Sequence, residues 1–148
     1  MSFANPSDDE LRALLMSARR IAVVGASARP DRPSLGVIKV LIAAGFDVVP
    51  VTPMEPSVLG RATYPTLGDV PGDIDIVDVF RRPADTPPVA EEAVKVHAKA
   101  FWLQEGIAND EAAFIAASGG LTVVMDACIG KTVHRLDIRV GPKRPAQA

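Results

Sequence analysis

Cysteine is almost absent. Cys128 is the only one in 148 residues, so no internal disulfide can form and the core alone must hold the fold. That usage suits a reducing compartment, and a cytoplasmic location is expected. Histidine is nearly as scarce, with His97 and His134 only. Neither stands in a Ser-His-Asp or metal-ligand spacing, so the sequence assigns no catalytic residue and no metal site. Long apolar runs are missing, and none approaches the roughly 20 residues that span a bilayer. The start, MSFANPSDDE, is acidic and has no apolar core, so no secretory leader is expected. Surplus charge is missing as well. A net charge of -2 speaks against a general nucleic-acid or membrane-surface binder.

What remains is an ordinary globular composition, 48% hydrophobic and 23% charged. The length can bury a full core. One domain is expected over residues 1–140, with GPKRPAQA at 141–148 as a disordered tail.

Strand and helix signals alternate along the chain. Ser7-Asp8-Asp9-Glu10 reads as a capping box before Leu11, Leu14, Leu15 and Ala18 at helical spacing. Ile21 to Val24 is a short apolar strand. Ser34 is the expected cap of a helix that Gly45 ends. Phe46 to Val51 is a second strand, stopped by Thr52-Pro53. A loop rich in proline and glycine follows. Ile74 to Phe80 is a third strand, and Thr86-Pro87-Pro88 opens a helix running to about Lys99. Ala100 to Leu103, a helix capped by Asn109, and Leu121 to Met125 complete the pattern. His134 is expected to pack within the last segment, CIGKTVHRL. Such alternation makes an α/β fold, a doubly wound parallel sheet of five strands with helices on both faces. The Rossmann-like order 3-2-1-4-5 is expected, with a ligand crevice at the switch between strands one and four.

In such sheets the strand ends carry the chemistry. The first ends Gly25-Ala26-Ser27, where amides and a helix start near Ser34 can meet an anion. Gly36 is expected to allow close approach of helix, strand and ligand. Arg29 and Arg32 add charge suited to phosphate. The glycine spacing does not complete the dinucleotide fingerprint, and the second strand ends Pro50-Val51-Thr52-Pro53 with no acid for ribose hydroxyls. The third strand ends Phe80-Arg81-Arg82, adding cations to the same crevice. The fourth ends at Gln104, a donor and acceptor. Cys128 follows the fifth, and its thiol matters only if it reaches the crevice.

The strings VVGAS, RPDRPSLGV, PVTP, VDVFRRP, FWLQEGI and VVMDAC, in this order, resemble the stand-alone CoA-binding-domain proteins of bacteria. These are similar to the N-terminal CoA-binding domain of the succinyl-CoA synthetase alpha subunit. The resemblance spans about residues 10–138. It implies coenzyme A as the ligand. The implied contacts are Gly25, Ala26 and Ser27 at the first turn, Arg32, Pro33 and Ser34 in the long loop, and Val51 and Pro53 at the second strand. Phe80 and Arg81 at the third strand and Gln104 at the fourth complete them. Glu55 departs from the synthetase pattern, which has a lysine soon after Val-Thr-Pro. The expected function is binding of CoA or an acyl-CoA without catalytic machinery of its own. An NAD-linked oxidoreductase and a non-catalytic subunit of an acyl-CoA enzyme are the alternatives.

Overall fold

The computed structural model describes residues 3–140. The tail expected at 141–148 lies outside the described residues.

Helix α1 (Asp8–Ser17) begins with the expected capping box, Ser7 and Glu10 each accepting the other's amide. Strand β1 (Arg20–Val24) leads to α2 (Pro33–Ala43) and β2 (Asp47–Val51). The loop region then forms a small hairpin, β3 (Ser57–Val58) with β4 (Arg61–Ala62), and a 3₁₀ turn at Leu67–Asp69. Next come β5 (Ile76–Val79), a second 3₁₀ turn at Pro83–Asp85, α3 (Thr86–Lys95) and β6 (Ala100–Leu103). The chain finishes with α4 (Asp110–Ser118), β7 (Thr122–Val124) and α5 (Ile129–Arg135).

Five strands form one parallel sheet in the order β2-β1-β5-β6-β7. The α/β class and the helices on both faces are as the sequence led one to expect. The strand order is a correction. The third strand of the sheet, β5, pairs with β1 rather than β2, so the order is 2-1-3-4-5 and not 3-2-1-4-5. Two features exclude a strand outside β2. Pro50 in its middle has no N–H to donate, which suits an edge strand. The loop also occupies that edge: Thr52 N donates to Tyr64 O (2.8 Å) and Tyr64 N to Pro50 O (3.2 Å).

This order moves the site. From β1 the chain crosses one way through α2 to β2, then back the other way over β1 to β5. Right-handed crossovers in opposite directions lie on opposite faces. One core therefore packs α1, α2 and α5 against Ile21, Val23, Ile76 and Trp102. The other packs the 3₁₀ turn at Leu67, α3 and α4 against Val24, Val77, Phe101 and Leu103. The chain parts to the two faces between β1 and β5, so the crevice opens there and not between strands one and four.

Three local expectations also change. Ser34 does not cap α2; Arg32 occupies the cap position with no side-chain bond, and Ser34 is buried in the first turn. Helix α3 stops at Lys95 because His97, exposed just beyond it, takes a left-handed φ of 59°. Its amide and that of Ala98 fold back onto Val94 O and Ala93 O, a Schellman ending. The last segment is a helix, α5, and His134 on it is exposed rather than packed.

Candidate functional site

The chain between β1 and α2 sets the geometry. Gly25 has φ 85°, and a Cβ there would stand 2.2 Å from the carbonyl oxygen of Phe80. Glycine is what lets the ends of β1 and β5 close together, joined by Phe80 N donating to Val24 O at 2.8 Å. Gly36 plays no such part. It lies in α2, and a Cβ there would meet nothing within 4 Å.

Two cavities flank this junction. The larger, about 1000 Å³, lies on the α3 side beyond β1, β2 and β5. Gly25, Ala26, Ser27, Arg32, Val51, Pro53, Phe80 and Arg81 line it. The smaller, about 490 Å³, lies on the α2 and α5 side. Pro33, Ser34 and Gln104 line it, with Val37, Ile107 and Cys128. Gly25, Arg32, Phe80 and Arg81 border both, so the two spaces meet across the switch point. Every residue expected at the site lines at least one of them, and Arg29 lines the larger.

The first-turn amides are engaged from within. Ser27 N donates to Ser34 Oγ (3.1 Å), Arg29 N to Ser27 Oγ (3.1 Å) and Ala28 N to Glu55 Oε2 (3.3 Å). Glu55, two residues past Pro53, bends back into the larger cavity. The Ala28 amide thus already donates to a carboxylate oxygen, the same bond a phosphate oxygen would accept. The cations are freer. Arg29 pairs with Asp31 at 3.1 Å and Arg82 with Asp85 at 3.0 Å. Among the described residues Arg32, Arg81 and Lys95 make no ion pair. Lys95 had no sequence signal beyond its turn of α3, where it shares a face with Glu91 and Glu92 at the cavity wall.

The sequence reading also passed over Asp78. It is fully buried in β5, on the face shared with its register partners Val23 and Trp102. Gln104 Nε2 donates to its Oδ1, and among the described residues Oδ2 has no partner. Burial pushes the carboxyl from its ordinary 3.8 up to about 8, against a smaller opposing effect of the Gln104 bond. The carboxyl therefore ionises at lower pH in the unfolded chain than in the fold. Its contribution to stability is fully present below about pH 4 and is lost as pH rises to about 8. Urea unfolding of wild type and Asp78→Asn between pH 5 and 8.5 checks this. The stability difference should move steadily in favour of Asn as pH rises; a constant difference would mean that Asp78 is charged throughout.

Cys128 reaches the smaller cavity. It is half-buried and caps α5, its Sγ accepting from Lys131 N at 3.5 Å.

A family model described as a CoA binding domain matches residues 19–134. The uncharacterised protein YneT of Bacillus subtilis is 45% identical over 130 residues, covering 88% of this chain and 96% of its own. Among solved structures, a hypothetical protein from Pyrococcus horikoshii matches with a TM-score of 0.86 and 38% identity, over 92% of this chain and 99% of its own. A dinucleotide-forming acetyl-coenzyme A synthetase from Korarchaeum cryptofilum shares the fold, with a TM-score of 0.67 and 23% identity. That match covers 78% of this chain and 28% of the synthetase.

Proposed function

The chain belongs to the CoA-binding domain family, and from that premise we propose that it binds coenzyme A or an acyl-CoA across the two joined cavities, as a binding module. The observation that carries this reading is the pairing of the cavities at one junction. The larger holds the uncommitted Lys95 and shares the uncommitted Arg32 and Arg81 with the smaller at the junction, cations that suit the phosphates of the nucleotide part. Val51 and Pro53 give an apolar strand end for the adenine. The smaller is walled by Val37, Phe80 and Ile107, with Gln104 and Cys128 beside them. It suits a mainly uncharged arm that ends in a thiol.

One observation favours a nicotinamide dinucleotide instead. Glu55, beyond the second strand, faces the larger cavity and is an acid that could hold ribose hydroxyls. Thermal melts with CoA, NAD and ATP separate the readings. A ligand at a hundredfold excess over its dissociation constant adds about 2.7 kcal/mol. In a chain of this size that raises Tm by roughly 5–15 °C. CoA is expected to give the largest rise; a larger rise with NAD would move the assignment to Glu55 and its cavity.

Arg32 is assigned to a phosphate. Arg32→Ala is expected to weaken CoA by about 1.5–3 kcal/mol, the worth of a charged hydrogen bond. The loss should shrink with dephospho-CoA if Arg32 holds the ribose phosphate. Equal losses with both ligands would place it on the diphosphate.

A further inference from the structure

Gln104 is anchored on three sides. Its backbone N–H donates to Val79 O and its carbonyl accepts from Ile107 N, which fixes where the side chain leaves β6. Its Nε2 donates inward to Asp78 Oδ1. Its Oε1 has no protein partner among the described residues, and it is absent from the sealed, unpartnered atoms, of which Asp78 Oδ2 is the one found. That oxygen therefore opens toward the smaller cavity, which Gln104 lines.

An amide side chain rotates easily about its last bond and can turn either end outward. Here Nε2 is the end held inward, on Asp78 Oδ1, which leaves the acceptor end outward. Among the described residues Asp78 is the only side chain hydrogen-bonded to Gln104, and Asp78 has no other hydrogen-bond partner. Building a carboxyl into the centre of a parallel strand is costly. Val23 and Trp102 on either side show that the sheet itself asks for an apolar residue there.

We propose that Asp78 is a positioning residue: it holds the Gln104 amide with Oε1 facing the smaller cavity, where that oxygen accepts an N–H from an uncharged, amide-bearing ligand arm. Resting on the coenzyme A reading, the arm is the pantetheine portion, whose two amides each carry such an N–H. Asp78 touches no ligand and acts only through Gln104.

The carboxyl is neutral below about pH 8 through burial. A neutral carboxyl still offers Oδ1 as the acceptor for Gln104 Nε2, and asparagine, whose Oδ1 accepts in the same way, can replace it. The charged and titratable groups around the cavity are Arg32 at the start of α2, Arg81 and Arg82 after β5, Glu105 after β6, and Cys128 before α5. On the helices covering this face, Lys39, Lys131, His134 and Arg135 are exposed.

The test titrates CoA and adenosine 3',5'-bisphosphate, which lacks the arm, into wild type and variants at pH 7. Gln104→Leu and Asp78→Ala should each weaken CoA about three- to tenfold, the worth of one neutral hydrogen bond. Neither should change adenosine 3',5'-bisphosphate by more than about twofold. Asp78→Asn should keep CoA within about twofold of wild type. The double variant Asp78→Ala, Gln104→Leu should lose no more than either alone, because both remove one contact. Equal losses for the two ligands, additive losses in the double variant, or unchanged CoA affinity in Asp78→Ala would each overturn the proposal. Wild type that binds neither ligand would overturn the coenzyme A reading itself. Wild type that binds the bisphosphate as tightly as CoA would overturn only the role given to Asp78 and Gln104.

Discussion

Gly25→Ala is expected to destabilise the protein by roughly 2–4 kcal/mol and to remove at least nine-tenths of its CoA affinity. A methyl group at φ 85° costs roughly 1–2 kcal/mol in backbone strain. The larger problem is the 2.2 Å approach to Phe80 O, because a backbone carbonyl cannot swing aside as a side chain would. The ends of β1 and β5 must separate, and the bond from Phe80 N to Val24 O stretches or breaks. That bond is worth about 0.5–1.5 kcal/mol. Separation there also moves Arg32 and Arg81, which border both cavities. Gly36→Ala is the control. Its added methyl meets nothing, and an alanine inside a helix is better than glycine by about 1 kcal/mol. Urea midpoints of the two variants should move in opposite directions, and CoA affinity should fall in Gly25→Ala and hold in Gly36→Ala. Similar behaviour would mean that the close approach at Gly25 does not shape the site.

Trp102→Ala is expected to cost about 3–5 kcal/mol, the range for emptying a buried aromatic site. That is a large share of a total stability of about 5–15 kcal/mol. Trp102 is fully buried in the middle of β6 and packs with α2 and α5. Its Nε1 donates to Ala127 O at 2.8 Å, tying the sheet to the loop that carries Cys128 into α5. Trp102→Phe keeps most of the volume and should lose only about 1–2 kcal/mol, through the hydrogen bond and a smaller void. If the two variants unfold at the same urea concentration, the tie to Ala127 rather than packing dominates at this position.

The elements with local signatures were legible in the sequence. The capping box at Ser7 and the Asn109 cap have their chemistry within four residues, and both form as read. Gly45 ends α2 with a left-handed turn, as a glycine there suggests. The end of α3 was not legible, because the left-handed residue is His97 and carries no such signal. Nor was the cap of α5, where a cysteine sulfur takes the place of the usual oxygen.

Strand order was legible and was misread. Pro50 in β2 already marks an edge strand, yet the order 3-2-1-4-5 places a strand on both sides of it. The expected site residues line the two cavities all the same, because the carboxyl ends of all strands in a parallel sheet open on one edge. Asp78 could also have been singled out. It is the one charged residue within the apolar run Ile76-Val-Asp-Val79, on the same alternation as the buried Ile76. Its partner could not, since only the sheet brings Gln104 beside it from 26 residues away. Glu55 was out of reach for a similar reason. Its place in the cavity depends on the hairpin and the Tyr64 bridge folding the loop back over β2.

The central claim is that the joined cavities take coenzyme A, and calorimetric titration of CoA and NAD under identical pH and salt tests it most directly. The account predicts saturable CoA binding at least tenfold tighter than NAD, weakened in Arg32→Ala. NAD binding as tight as or tighter than CoA, or no saturable CoA binding to the folded protein, would contradict it.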